Sequence, residues 1–122
     1  MAQIPEIFDS EYRFCLLLWE HEPISSHQLV TLCKEKLGWS KSTTYTVIRR
    51  LSDRGVVKNE NSVVTSLVSK EQVQNNRLDT MVEQTFEGSM PAFIAAFSRS
   101  KHLTRQEMDQ LRSLIDQFQE EE

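Results

Sequence analysis

Ser40-Lys41-Ser42-Thr43-Thr44-Tyr45-Thr46-Val47-Ile48-Arg49-Arg50-Leu51-Ser52-Asp53-Arg54-Gly55 runs into a valine-rich stretch that ends at Val68. Ser40 is placed to cap a helix over 41–54, because a serine oxygen can accept a free amide of the first turn. Thr44, Val47, Ile48 and Leu51 fall at i, i+3, i+4 and i+7, which is one face of a helix. Gly55 ends it, since glycine tolerates the left-handed backbone found after helices. Val56-Val57-Lys58 and Val63 to Val68 are β-branched runs, and the polar Asn59-Glu60-Asn61-Ser62 between them reads as the turn of a hairpin. A helix followed by a small hairpin is the order of parts in a winged helix-turn-helix. In that fold one helix enters the major groove of DNA and the hairpin lies against the flanking backbone.

Upstream, Ser25-Ser26-His27-Gln28 is a capping box that opens a helix over about 26–37, with Leu29, Leu32, Cys33 and Leu37 inward. Gly38 ends it. Only Gly38-Trp39-Ser40 separates the two helices, the short connection a helix-turn-helix needs. Trp39 either packs under this turn or lies against a backbone sugar. Before it, Asp9 or Ser10 can cap a first helix reaching about Glu20, with Phe14, Leu17 and Leu18 on its apolar face, and Glu22-Pro23 stops it.

Downstream, helical spacing returns from Lys70 to about Glu87, with Val73, Leu78, Met81, Val82 and Phe86 apolar. Ser89-Met90-Pro91 starts a short helix carrying Phe93 to Phe97. Thr104-Arg105-Gln106-Glu107 is a capping box for a last helix over about 105–119, and its far end frays into Glu120-Glu121-Glu122. Met108, Leu111, Leu114, Ile115 and Phe118 lie on one face of that helix. Isolated helices of this length are marginal in water. These faces therefore pack either on the first domain or on a second copy of the chain, and a second copy is the better reading, because helix-turn-helix proteins read two half-sites with two-fold symmetry. The expected dimer interface comprises Met81, Phe86, Phe93, Phe97, Met108, Leu111, Leu114, Ile115 and Phe118. The fold expected is mainly α, with a winged helix-turn-helix domain over 1–69 and a helical dimerisation domain over 70–122.

A net charge of −4 by itself disfavours nucleic acid, but its distribution decides otherwise. Within 34–58, seven basic residues face only Glu35 and Asp53, a balance of +5, and the acidic excess lies after residue 69. Ser42, Thr43, Tyr45 and Thr46 point away from the inward set of the third helix. Hydroxyls there can bond to base edges, and a threonine methyl can pack on a thymine methyl. The rival reading is that Ser42 and Thr43 only help to cap the helix. Lys41, Arg49, Arg50 and Arg54, with Ser40 and with Lys58 from the wing, fit backbone phosphate contacts, which position without reading sequence. A solvated charged face is the alternative.

Other chemistry is poorly supported. Cys15 and Cys33 sit in apolar helical patterns as small hydrophobes, and His21, His27 and His102 share no ligand spacing, so no metal or other cofactor is expected. No nucleophile–base pairing or glycine-rich phosphate loop points to an enzyme. The longest apolar run, Phe14 to Trp19, is too short to span a bilayer, and no signal peptide is evident at Met1-Ala2-Gln3, so a cytoplasmic protein with no membrane insertion is expected.

The order and spacing of these motifs resemble the BlaI/MecI family of penicillinase repressors over nearly the whole chain. The resemblance is carried by Leu16-Leu17-Leu18-Trp19-Glu20, by Gly38-Trp39-Ser40 with Thr43, and by Thr46-Val47-Ile48-Arg49-Arg50-Leu51 with Gly55. It continues through Ser66-Leu67-Val68, Phe93 to Phe97, and Leu103-Thr104-Arg105-Gln106-Glu107. It implies a dimeric repressor of a palindromic double-stranded DNA operator. It also implies relief by proteolysis downstream of a membrane-bound sensor protease, with Ala96–Phe97 at the matching cleavage position, where relatives carry Asn before the Phe. The recognition helix here opens Ser40-Lys41-Ser42 where relatives place Pro and Lys, and the wing is shorter. The cysteine cluster of the copper-responsive branch is absent. Two other readings remain open at this point: an effector-responsive regulator of the MarR or PadR kind, and a winged-helix protein-interaction module.

Overall fold

The computed structural model describes residues 4–101 and 103–120. The readings of His102, of the first three residues and of Glu121-Glu122 fall outside them. The chain divides into two units, Met1–Leu78 and Asp79–Glu122.

In the first unit, α1 (Asp9–His21), α2 (Ser26–Leu37) and α3 (Lys41–Asp53) pack with a three-stranded antiparallel sheet of β1 (Ile24–Ser25), β2 (Val57–Glu60) and β3 (Val63–Ser66), in the order β1-β3-β2. Phe14, Cys15, Leu18, Leu29, Cys33, Val47, Ile48, Leu51, Val56, Val57 and Val64 form one core. Burial pushes the thiols of Cys15 and Cys33 up to about 12 and about 11, so both stay protonated and act as small core hydrophobes. Trp19 on α1 donates from Nε1 to the carbonyl of Val68 at 3.0 Å, anchoring the chain that leaves the sheet.

Three local expectations are corrected. Neither Asp9 nor Ser10 caps α1. The helix already includes both, and Glu11 reaches back to accept the amide of Phe8 at 3.0 Å. The hairpin turn is two residues rather than four, because Asn61 and Ser62 take φ of 53° and 64°. Two successive positive-φ residues match the twist of a tight hairpin, so Asn59 and Glu60 stay in β2. The wing also has a third strand that the sequence did not suggest: Ile24 and Ser25 pair with Val64 and Val63.

The second unit follows within α4 (Lys70–Phe86), with α5 (Met90–Lys101) and α6 (Arg105–Glu120). Ser89 caps α5 by accepting from the amide of Ala92 at 3.1 Å. Thr104 and Glu107 cap α6 reciprocally at 3.0 and 3.1 Å, as the capping box predicts. Phe86 meets Phe93 edge to face and Phe93 meets Phe97 at a tilt, with centroids 5.7 and 6.1 Å apart.

Candidate nucleic-acid interface

The turn before α3 is built from short-range chemistry. Ser25 caps α2 by accepting from Gln28 at 3.1 Å, and Gly38 closes it in the left-handed region at φ 71°. Trp39 then stacks on Phe14, with centroids 6.1 Å apart and planes within 4°, so the packing alternative for this residue holds. Ser40 caps α3: its oxygen accepts the Thr43 amide at 3.1 Å and its hydroxyl donates to Thr43 Oγ1 at 3.0 Å. Thr44 donates to the Ser40 carbonyl at 3.1 Å, and with Val47, Ile48 and Leu51 it is buried. The whole inward set of α3 is as the periodicity predicts. That burial leaves Lys41, Ser42, Thr43, Tyr45, Arg49 and Arg50 exposed, with Thr46 half-buried.

Thr43 thus takes part in capping, as the rival reading allowed. Tyr45 extends along α3 to Ser26 at the start of α2, its hydroxyl 3.5 Å from Ser26 Oγ. Ser26 is itself buried, and its amide donates to the carbonyl of Ser62 in the hairpin turn at 2.8 Å. The sequence did not single out Ser26, which ties the start of α2 to the tip of the wing.

Arg54 is placed away from this face. Its guanidinium forms a double ion pair with Glu11, one arm of which measures 2.9 Å, and it donates to the carbonyl of Glu6 at 2.7 Å. It also lies over the Phe8 ring, 5.3 Å from the centroid. A phosphate would have to compete with these partners for the Arg54 guanidinium, which the sequence places among the backbone contacts. Glu11 is only 4% exposed. Burial pushes its carboxyl up, but the Arg54 guanidinium and the Phe8 amide outweigh that and hold it below its ordinary value. The sequence reading missed Glu11; its place three residues after Phe8 was a signal for the cap but not for the ion pair.

Lys58 lies on the wing and pairs with Glu60 at 3.1 Å, both side chains well exposed. Asn59 is offset by one residue and follows the strand alternation of Val57, which is buried in the core against α3. Asn59 therefore faces the helix and Lys58 faces away. The result is a concavity of about 530 Å³ between α3 and the wing, lined by Ser42, Tyr45, Thr46, Arg49, Ser52 and Asn59 with Ile48 beneath.

Among the described residues no three His, Cys, Asp or Glu side chains are grouped to hold a metal ion, and no helix is long and apolar enough to cross a membrane. In the second unit the expected interface residues are unevenly covered. Met81, Phe86, Phe93 and Leu111 are half-buried, whereas Phe97, Met108, Leu114, Ile115 and Phe118 are exposed, the last two at 56% and 63%. Ala96–Phe97 lies inside α5.

Comparison with known proteins gives one consistent result. The family model for the penicillinase repressor matches residues 7–117. The methicillin resistance regulatory protein MecI of Staphylococcus aureus is 22% identical over 91% of this chain and 94% of its own length. The penicillinase repressor of Bacillus licheniformis is 19% identical over 96% of this chain and 94% of its own. The DNA-binding domain of the repressor BlaI, solved in solution, superposes with a TM-score of 0.53 at 24% identity, covering 59% of this chain and 93% of that one. The monomeric form of Bacillus licheniformis BlaI in complex with the blaP half-operator superposes at 0.51 and 25% identity with the same coverage. The winged helix-turn-helix is therefore the fold.

Proposed function

Because the chain belongs to the penicillinase repressor family, we propose that it is a transcriptional repressor that binds a dyad-symmetric DNA operator as a homodimer. The observation that carries this reading is the exposed face of α3, where hydroxyls at Ser42, Tyr45 and Thr46 lie beside the cations Lys41, Arg49 and Arg50. A base edge needs short donors and acceptors, and the phosphates on either side need cations. The complex of BlaI with a half-operator supports the same use of the fold. In this proposal residues 1–69 bind DNA and residues 70–122 join two copies through α4, α5 and α6. Relief by a sensor protease cutting at Ala96–Phe97 completes the reading, and α5 would have to unwind locally to present that bond.

The test is binding of the purified protein to the DNA upstream of its own gene, titrated with salt, with a random duplex as competitor. Tight, salt-sensitive protection of a two-fold symmetric site is expected. Equal, weak binding to both duplexes overturns the repressor reading in favour of a protein-interaction module. Thr46→Ala should weaken operator binding by about 1–3 kcal/mol and leave random-duplex binding nearly intact. Equal loss on both duplexes removes Thr46 from the base-reading set. Arg50→Ala should instead weaken both and reduce the salt slope by about one; an unchanged slope assigns Arg50 to a solvated face.

A further inference from the structure

We propose that Asn59 is the wing's contact with DNA, and that its carboxamide and the Arg49 guanidinium hold one backbone phosphate in the concavity between α3 and β2. This rests on the repressor reading above. The two-residue turn at Asn61-Ser62 sets the hairpin register so that Asn59 pairs with Val64 and shares the face of Val57. That face packs on the helices, so the exposed Asn59 side chain is directed toward α3. Arg49 and Ser52, on the later turns of α3, line the same concavity as Asn59. The hydroxyls of Ser42, Tyr45 and Thr46 lie toward the helix start.

A recognition helix uses its first turns for base edges, which leaves Arg49 and Ser52 on the later turns of α3 to share the concavity with Asn59 for other contacts. The ligand that meets Arg49 and Asn59 together is thus an anion at the groove wall. An amide N–H donor beside a guanidinium suits a phosphate oxygen: the cation supplies attraction and the neutral amide supplies direction. Lys58 is the more obvious residue by charge, but it lies on the opposite face of the strand and is partnered by Glu60.

Asn59→Ala and Asn59→Asp are compared with the wild type on a random-sequence duplex and on the upstream duplex, each across a salt series. Asn59→Ala is expected to weaken both duplexes by about tenfold, the loss of one hydrogen bond to a charged group, with the salt slope unchanged because a neutral amide displaces no counterion. Asn59→Asp is expected to weaken both further, through repulsion. Arg49→Ala should flatten the slope by about one. Loss on the upstream duplex alone would overturn the phosphate assignment and make Asn59 a base reader. Unchanged binding of both Asn59 variants, beside tight wild-type binding, would remove Asn59 from the interface without touching the repressor reading. Absence of wild-type binding would strike that reading itself. Thermal melts that match the wild type show that the variants retain the fold, as expected for an exposed strand residue.

Discussion

Arg54→Ala is expected to destabilise the folded chain by about 3 kcal/mol, read as a lower urea midpoint at neutral pH. The substitution leaves the buried Glu11 carboxylate without its cation, and a buried charge that loses its partner costs more than the pair contributes. Because Arg54 is partly exposed, the figure is taken from the low end of such losses. Acid provides an independent check of sign. The folded Glu11 carboxyl lies below its ordinary value of 4.5, so the pair's contribution is complete above that pH and is lost as pH falls through the folded value. Without Arg54, burial is opposed only by the Phe8 amide and the Arg50 charge, so the carboxyl rises from its wild-type position and protonation relieves the variant. The stability gap between wild type and variant should therefore narrow in acid. A midpoint unchanged by Arg54→Ala, together with a clear loss of DNA affinity, would assign Arg54 to the phosphate contacts.

Leu111→Asp combined with Ile115→Asp is expected to give monomers by sedimentation and to weaken operator binding by about a hundredfold or more, since two linked half-sites then act separately. The α6 stripe supports the expectation. Ile115 and Phe118 are more than half exposed on a helix whose opposite side is charged, and a stripe of that kind calls for a covering partner. Dimers that persist in the double variant would move the interface to α4 and α5, where the rings of Phe86, Phe93 and Phe97 meet edge to face and at a tilt. Monomers that bind the operator as tightly as the wild type would detach dimerisation from DNA recognition.

The recognition helix was legible because its determinants are local. Ser40 caps it from three residues before the amide it accepts, and the inward Thr44, Val47, Ile48 and Leu51 follow a period set by helix geometry alone. The candidate site was legible only in part. Charge and position made Arg54 a phosphate ligand, yet its partner Glu11 lies 43 residues away in sequence. Charge singles out Lys58, whereas the direction of Asn59 depends on a two-residue turn that the polar run 59–62 does not announce.

The sequence by itself determined the helices, the caps of α2, α3 and α6, the basic segment around α3 and that helix's inward set, because propensity, periodicity and charge are written in neighbouring residues. Tertiary structure alone decided the third strand, the direction of Asn59 and the capture of Arg54. A two-residue strand has no periodicity of its own and exists only because β3 offers it an edge. The facing of a strand residue depends on register, which a shift of one residue reverses. An ion pair between distant residues forms only once the chain has folded around it.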